Sequence, residues 1–123
     1  MNITSHLRGK IQLVALSGRL DSSTSAAFRK EIATRIVDHG PRLVFDCSDL
    51  SYMDSSGLGV FVSCLRKALA EGGDIRLTAL KPKVRMLLEL TRVDKVFQIF
   101  VTVDEALASF VEYPADTTSI ISN

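Results

Sequence analysis

The feature that most constrains this chain is a change of hydrophobic period that recurs along it. Short apolar runs of strand length give way to apolar residues at helical spacing. The sharpest case is central. Arg42-Leu43-Val44-Phe45-Asp46-Cys47 is a compact apolar run bounded by Gly40-Pro41 and Ser48-Asp49, as a buried strand should be. Leu58, Phe61, Leu65, Ala68 and Leu69 then follow helical spacing until Gly72-Gly73 stops the helix. The segment between, Leu50-Ser51-Tyr52-Met53-Asp54-Ser55-Ser56-Gly57-Leu58-Gly59-Val60, is thus a strand-to-helix junction with two serines and Gly57 at the helix start. Free N–H groups and the positive end of the helix dipole favour negative charge there, including a phosphate carried on a serine. The same residues are also ordinary capping chemistry, with Ser55 or Ser56 accepting a hydrogen bond from an otherwise unpaired N–H.

The remaining elements repeat the alternation. Asn2 to Leu7 and Lys10 to Leu16 read as an antiparallel hairpin across Arg8-Gly9. After the turn Ser17-Gly18-Arg19-Leu20-Asp21, the cluster Ser22 to Ser25 offers N-caps for a helix with Phe28, Ile32 and Ile36 on one face and Gly40 at its end. Asp74 to Leu80 reads as a strand, and Pro82 sits just inside the start of a helix bearing Val84, Leu87, Leu88 and Thr91 on one side. Val96 to Val101 reads as the last strand, followed by Thr102-Val103-Asp104-Glu105, a capping box for a helix with Ala106, Leu107 and Phe110. The order ββαβαβαβα predicts an α/β domain whose sheet is mainly parallel, with helical crossovers and an antiparallel N-terminal hairpin.

At 123 residues, 46% of them apolar, the chain fits one well-buried core and not two ordinary domains. The expected domain spans residues 1–112, and the polar, proline-containing stretch 113–123 reads as a flexible tail. A formal net charge of +1 with no dense basic block argues against nucleic acid as a direct partner. Cys47 and Cys64 form no C-x-x-C pair and read as buried free thiols in a reducing compartment. His6 and His39 are isolated, so no metal site is expected. No secretory signal or membrane-length apolar run stands out, so a cytoplasmic protein without membrane insertion is expected.

The run Asp54-Ser55-Ser56-Gly57-Leu58-Gly59, preceded by Leu50-Ser51-Tyr52-Met53, resembles the signature of the STAS family, the anti-sigma factor antagonists of bacterial partner-switching systems. The resemblance covers most of the chain through Phe110, and the element order agrees with the STAS fold. It implies that Ser55, directly after the aspartate, is the phosphoacceptor. It further implies an anti-sigma factor partner that is also a serine kinase of the histidine-kinase-like ATPase fold. That kinase binds the unmodified protein and loses it on phosphorylation, and a metal-dependent serine phosphatase of the PP2C type reverses the modification. Asp21, in Gly18-Arg19-Leu20-Asp21, matches an acidic position of the family and would meet a basic group of the partner, with helix capping as its structural alternative. Asp54, Ser56, Gly57, Leu58 and Gly59 complete the expected docking surface, and Ser56 is the rival acceptor on chemistry alone. Thr91-Arg92 stands where many relatives carry Ser-Gly.

The protein needs no cofactor in this reading and is not an enzyme. Neither Gly-x-Ser-x-Gly nor a phosphate-binding glycine loop is present, so nucleophilic catalysis and the familiar nucleotide loops lack their motifs. The alternative function is a STAS module that does not switch and binds a nucleotide or another regulatory protein.

Overall fold

The N-terminal hairpin forms because two alternating strands meet across a two-residue turn. Strand β1 (Asn2–Arg8) pairs antiparallel with β2 (Ile11–Leu20), with Arg8 opposite Ile11 and Gly9 at φ +64° in the turn. The computed structural model describes residues 1–111; the expected tail 113–123 lies outside the described residues. Beyond the hairpin come helix α1 (Ser25–His39), β3 (Arg42–Met53), α2 (Ser55–Ala70), β4 (Asp74–Thr78), α3 (Pro82–Leu90), a short 3-10 turn (Val93–Lys95), β5 (Gln98–Phe100) and α4 (Val103–Val111). The expected order ββαβαβαβα is the observed one. The sheet runs β1-β2-β3-β4-β5, antiparallel between β1 and β2 and parallel elsewhere.

Alternation along β3 explains why Leu43, Val44 and Phe45 are apolar in succession. Leu43, Phe45 and Cys47 face the main core with Phe28, Ile32 and Ile36 of α1 and Phe61 and Leu65 of α2. Val44 points to the opposite face, where Ile11, Ala106 and Phe110 cover it. A strand covered on both faces has no polar side to show. Phe28, Phe45 and Phe61 meet pairwise with ring centroids 5.4–6.0 Å apart, which ties α1 and α2 to the middle of the sheet.

Several boundaries differ from the sequence expectation. Ser17-Gly18-Arg19-Leu20 is not a turn but the end of β2, and β3 runs past Ser48-Asp49 as far as Met53. The two extensions pair with each other, Ser17 with Asp49, Gly18 with Leu50 and Leu20 with Met53, through shifts of register that break strict alternation. Those shifts let Leu50 and Met53, three residues apart, both turn inward. The strand expected over 74–80 stops at Thr78, before Ala79 at φ +55°, and the one expected over 96–101 shortens to Gln98–Phe100 behind the 3-10 turn. On α3, Val84 and Leu88 are buried whereas Thr91 is exposed. The capping box before α4 forms in both directions at 3.2 Å, Thr102 N–H to Glu105 and Glu105 N–H to the Thr102 hydroxyl.

Candidate functional site at the start of helix α2

The junction expected from the sequence is set by the end of β2 as much as by its own residues. The Asp54 N–H donates to the Leu20 carbonyl at 3.3 Å, fixing the turn out of β3 against the last residue of β2. Asp54 then takes an extended conformation and caps α2. Its Oδ1 accepts from the Ser56 N–H at 2.9 Å and the Gly57 N–H at 3.2 Å. Of the two readings open for the serines, capping by a hydroxyl is not the one found: the carboxylate, with two acceptor oxygens and a favourable position at the positive end of the helix, closes it. Ser55 is the first helical residue and is exposed, while Ser56 is half-buried.

The two glycines behave differently. A Cβ on Gly57 would lie 2.5 Å from the Leu20 carbonyl oxygen and 2.9 Å from Leu20 Cγ, so the helix can seat against β2 only with glycine here. Gly57 and its neighbour Leu58 are both buried and face the core, not solvent. Gly59 is exposed, and a Cβ there would meet nothing within 4 Å. The apolar start of α2 is largely covered: Phe61 is fully buried and Val60 and Val62 are half-buried.

Because β2 and β3 are parallel and end side by side, the loop after β2 reaches the same edge as the start of α2. Asp21 opens that loop and structures it. Its Oδ1 accepts from the Ser23 hydroxyl at 2.7 Å and the Ser23 N–H at 2.9 Å, and Arg19 Nε lies 3.6 Å from Oδ2. The Ser23 hydrogen bonds, with Arg19 adding to them, hold the Asp21 carboxyl below the usual carboxylate range. The carboxylate therefore shapes the turn before α1, and no serine or threonine side chain caps that helix, whose N-cap residue is Thr24. Arg19 also stacks over Tyr52, with its guanidinium carbon 4.0 Å from the ring centroid. The sequence reading missed this pair, since Arg19 and Tyr52 become neighbours only when the strand extensions pair.

The edge thus presents the Ser55 hydroxyl close to the capping carboxylate of Asp54, with the loop of Asp21 alongside. A hydroxyl so placed can accept a phosphoryl group, and N–H groups at a helix start tolerate the resulting charge. Among the described residues, no cluster of histidine, cysteine, aspartate or glutamate could hold a metal ion, and no helix is long and apolar enough to cross a membrane. Cys47 and Cys64 are free and buried, and burial pushes both thiols up to about 12.

Comparison with known proteins agrees with this architecture. The model of the STAS domain family matches residues 2–106. An anti-sigma F factor antagonist from Paenibacillus polymyxa is 33% identical over 99 residues, which is 77% of this chain and 81% of the relative. The crystal structure of an anti-sigma factor antagonist from Mycobacterium paratuberculosis, 29% identical, superposes with a TM-score of 0.79 over 88% of this chain and 92% of that one. The Bacillus cell fate determinant SpoIIAA in its phosphorylated form shares the fold at 22% identity, with a TM-score of 0.69 over 89% of this chain and 100% of that one. A family match that runs from β1 into α4, over more than half of the chain, makes the chain a member of the STAS domain family.

Proposed function

We propose that this protein is an anti-sigma factor antagonist switched by a single phosphate on Ser55. The observation that carries the reading is the division of labour at the α2 start. Asp54 closes the helix, so the exposed Ser55 hydroxyl has no capping duty and can be modified without loss of the cap. The names of relatives such as the Paenibacillus antagonist support the same class of function.

In this reading the unmodified protein binds an anti-sigma factor that is also a serine kinase, and the sigma factor or other target is released. The kinase transfers the γ-phosphoryl group of its ATP to Ser55 Oγ; ADP leaves and the hydroxyl proton passes to a base on the kinase. Ser55 is a substrate, and the protein contributes no catalytic residue. The phosphate brings about −1.5 to −2 charges and three acceptor oxygens. The start of α2 offsets part of this charge, by up to roughly 1 kcal/mol at an exposed site, so the domain stays folded. An interface fitted to a neutral hydroxyl beside Asp54 meets a dianion instead. Like-charge contact of that kind costs several kcal/mol, and about 1.4 kcal/mol is a factor of ten in affinity. A PP2C-type phosphatase restores the binding form by hydrolysing the phosphoserine. Asp21 and Gly59, at the same edge, belong to the docking surface, whereas Gly57 and Leu58 support it from beneath.

Phosphopeptide mass spectrometry on the protein isolated from its native cells tests the assignment. One phosphate is expected on Ser55, changing with growth condition and absent from a Ser55→Ala strain. Phosphate on Ser56 instead, or none under any condition, would overturn it.

A further inference from the structure

A cavity of about 440 Å³ opens beside Ser55, between the N-terminal halves of α1 and α2. Ser55, Ser56 and Gly59 contribute to one wall, and Ser25 and Arg29 contribute to the other. Arg29 alone among the lining residues is charged. Like Arg8, Arg42, Arg66 and Arg92 it makes no ion pair among the described residues, and of these it is the one that lines this cavity. Arg29 also lines the adjoining cavity of about 500 Å³ that continues down the α1–α2 groove, where it faces Cys64. Its charge is felt there, partly offsetting the rise that burial imposes on the Cys64 thiol. Gly59 has no side chain to interpose between Ser55 and the groove.

Resting on the phosphorylation of Ser55 argued above, we propose that Arg29 is the intramolecular counter-charge of phosphoserine 55. From the α1 wall of the cavity the guanidinium takes the phosphate oxygens, as arginine does with its fork of donors. The switched-off form is then defined by two changes. Negative charge appears at the docking edge, and the cavity between α1 and α2 is bridged by an ion pair that the unmodified protein lacks. Asp54 and Asp21 at the same edge oppose the phosphate charge, and Arg29 opposes them.

The test is a phosphorus NMR titration of protein carrying phosphoserine at position 55, introduced during translation so that no kinase is needed. A free phosphoserine loses its second proton at about pH 6. In the wild-type background this pKa is expected to be lower than in Arg29→Gln by about 0.5 or more, since an adjacent cation favours the dianion. Arg29→Ala should match Arg29→Gln, and Lys67→Gln, farther down the groove, should match wild type. The contributions of Asp54 and Asp21 are common to all four proteins and cancel. Equal values in wild type and Arg29→Gln, or an equal change on substituting Lys67, would overturn the pairing. Either of those results leaves the phosphorylation switch standing, whereas absence of phosphate in native cells removes the switch without touching the titration.

Discussion

Gly57 and Gly59 lie two positions apart on one helix and do opposite work. Read as sequence, both suggest a surface that something approaches closely. In the fold, the approaching group at Gly57 is the protein's own Leu20 carbonyl, and Gly59 faces open space. Nothing local distinguishes them, because the contact comes from a strand distant in sequence. Replacing Gly57 with alanine forces a Cβ to within 2.5 Å of a backbone oxygen, and a destabilisation of about 1–3 kcal/mol is expected. Gly59→Ala removes a flexible residue from an exposed helix position and should stabilise by up to about 1 kcal/mol. Urea unfolding of the two variants reads both signs. The capping carboxylate was similarly half-legible. Asp-Ser-Ser before a helix promises a cap, but only the geometry shows that Asp54 makes it and that Ser55 does not.

At the scale of elements, what the sequence carries locally came through and what depends on distant pairing did not. The Thr102–Glu105 box is a contact between near neighbours and was readable as a four-residue pattern. The extensions of β2 and β3 contain Ser, Gly and Asp, which look like turn residues, and they become strand only because each supplies the other's hydrogen-bonding partner. The turn after α3 shows the converse. Arg92 sits at φ +65°, the left-handed region that glycine enters without steric cost. Arg92→Gly should relieve about 1 kcal/mol and raise the midpoint of thermal unfolding by about 4 °C. A calorimetric scan checks it, and an unchanged or lower midpoint would show that the Arg92 side chain outweighs the backbone cost.

Across the described residues the sheet carries α1, α2 and α3 on one face and α4 on the other, and the closeness of that packing shows in the two thiols. Cys47 is fully buried and Cys64 nearly so, and burial raises both to about 12 from an ordinary 9.0. Native protein at neutral pH should resist alkylation by iodoacetamide until it unfolds globally. The same shifts set the alkaline limit. Below pH 9.0 the thiols are protonated in folded and unfolded chains alike, and above it the unfolded chain alone loses protons, so stability falls as pH rises towards about 12. A Cys47→Ala, Cys64→Ala protein should lose less stability over that interval, as followed by urea unfolding at successive pH values.

On this well-packed frame the proposed switch is confined to one edge, and its consequence falls on the partner. The most direct test is calorimetric titration of the proposed anti-sigma kinase partner with unmodified protein and with protein carrying phosphoserine at position 55. Tight binding of the first is expected and at least about a hundredfold weaker binding of the second, equivalent to about 2.7 kcal/mol, with both proteins giving the same circular dichroism spectrum. Equal affinities for the two forms would contradict it.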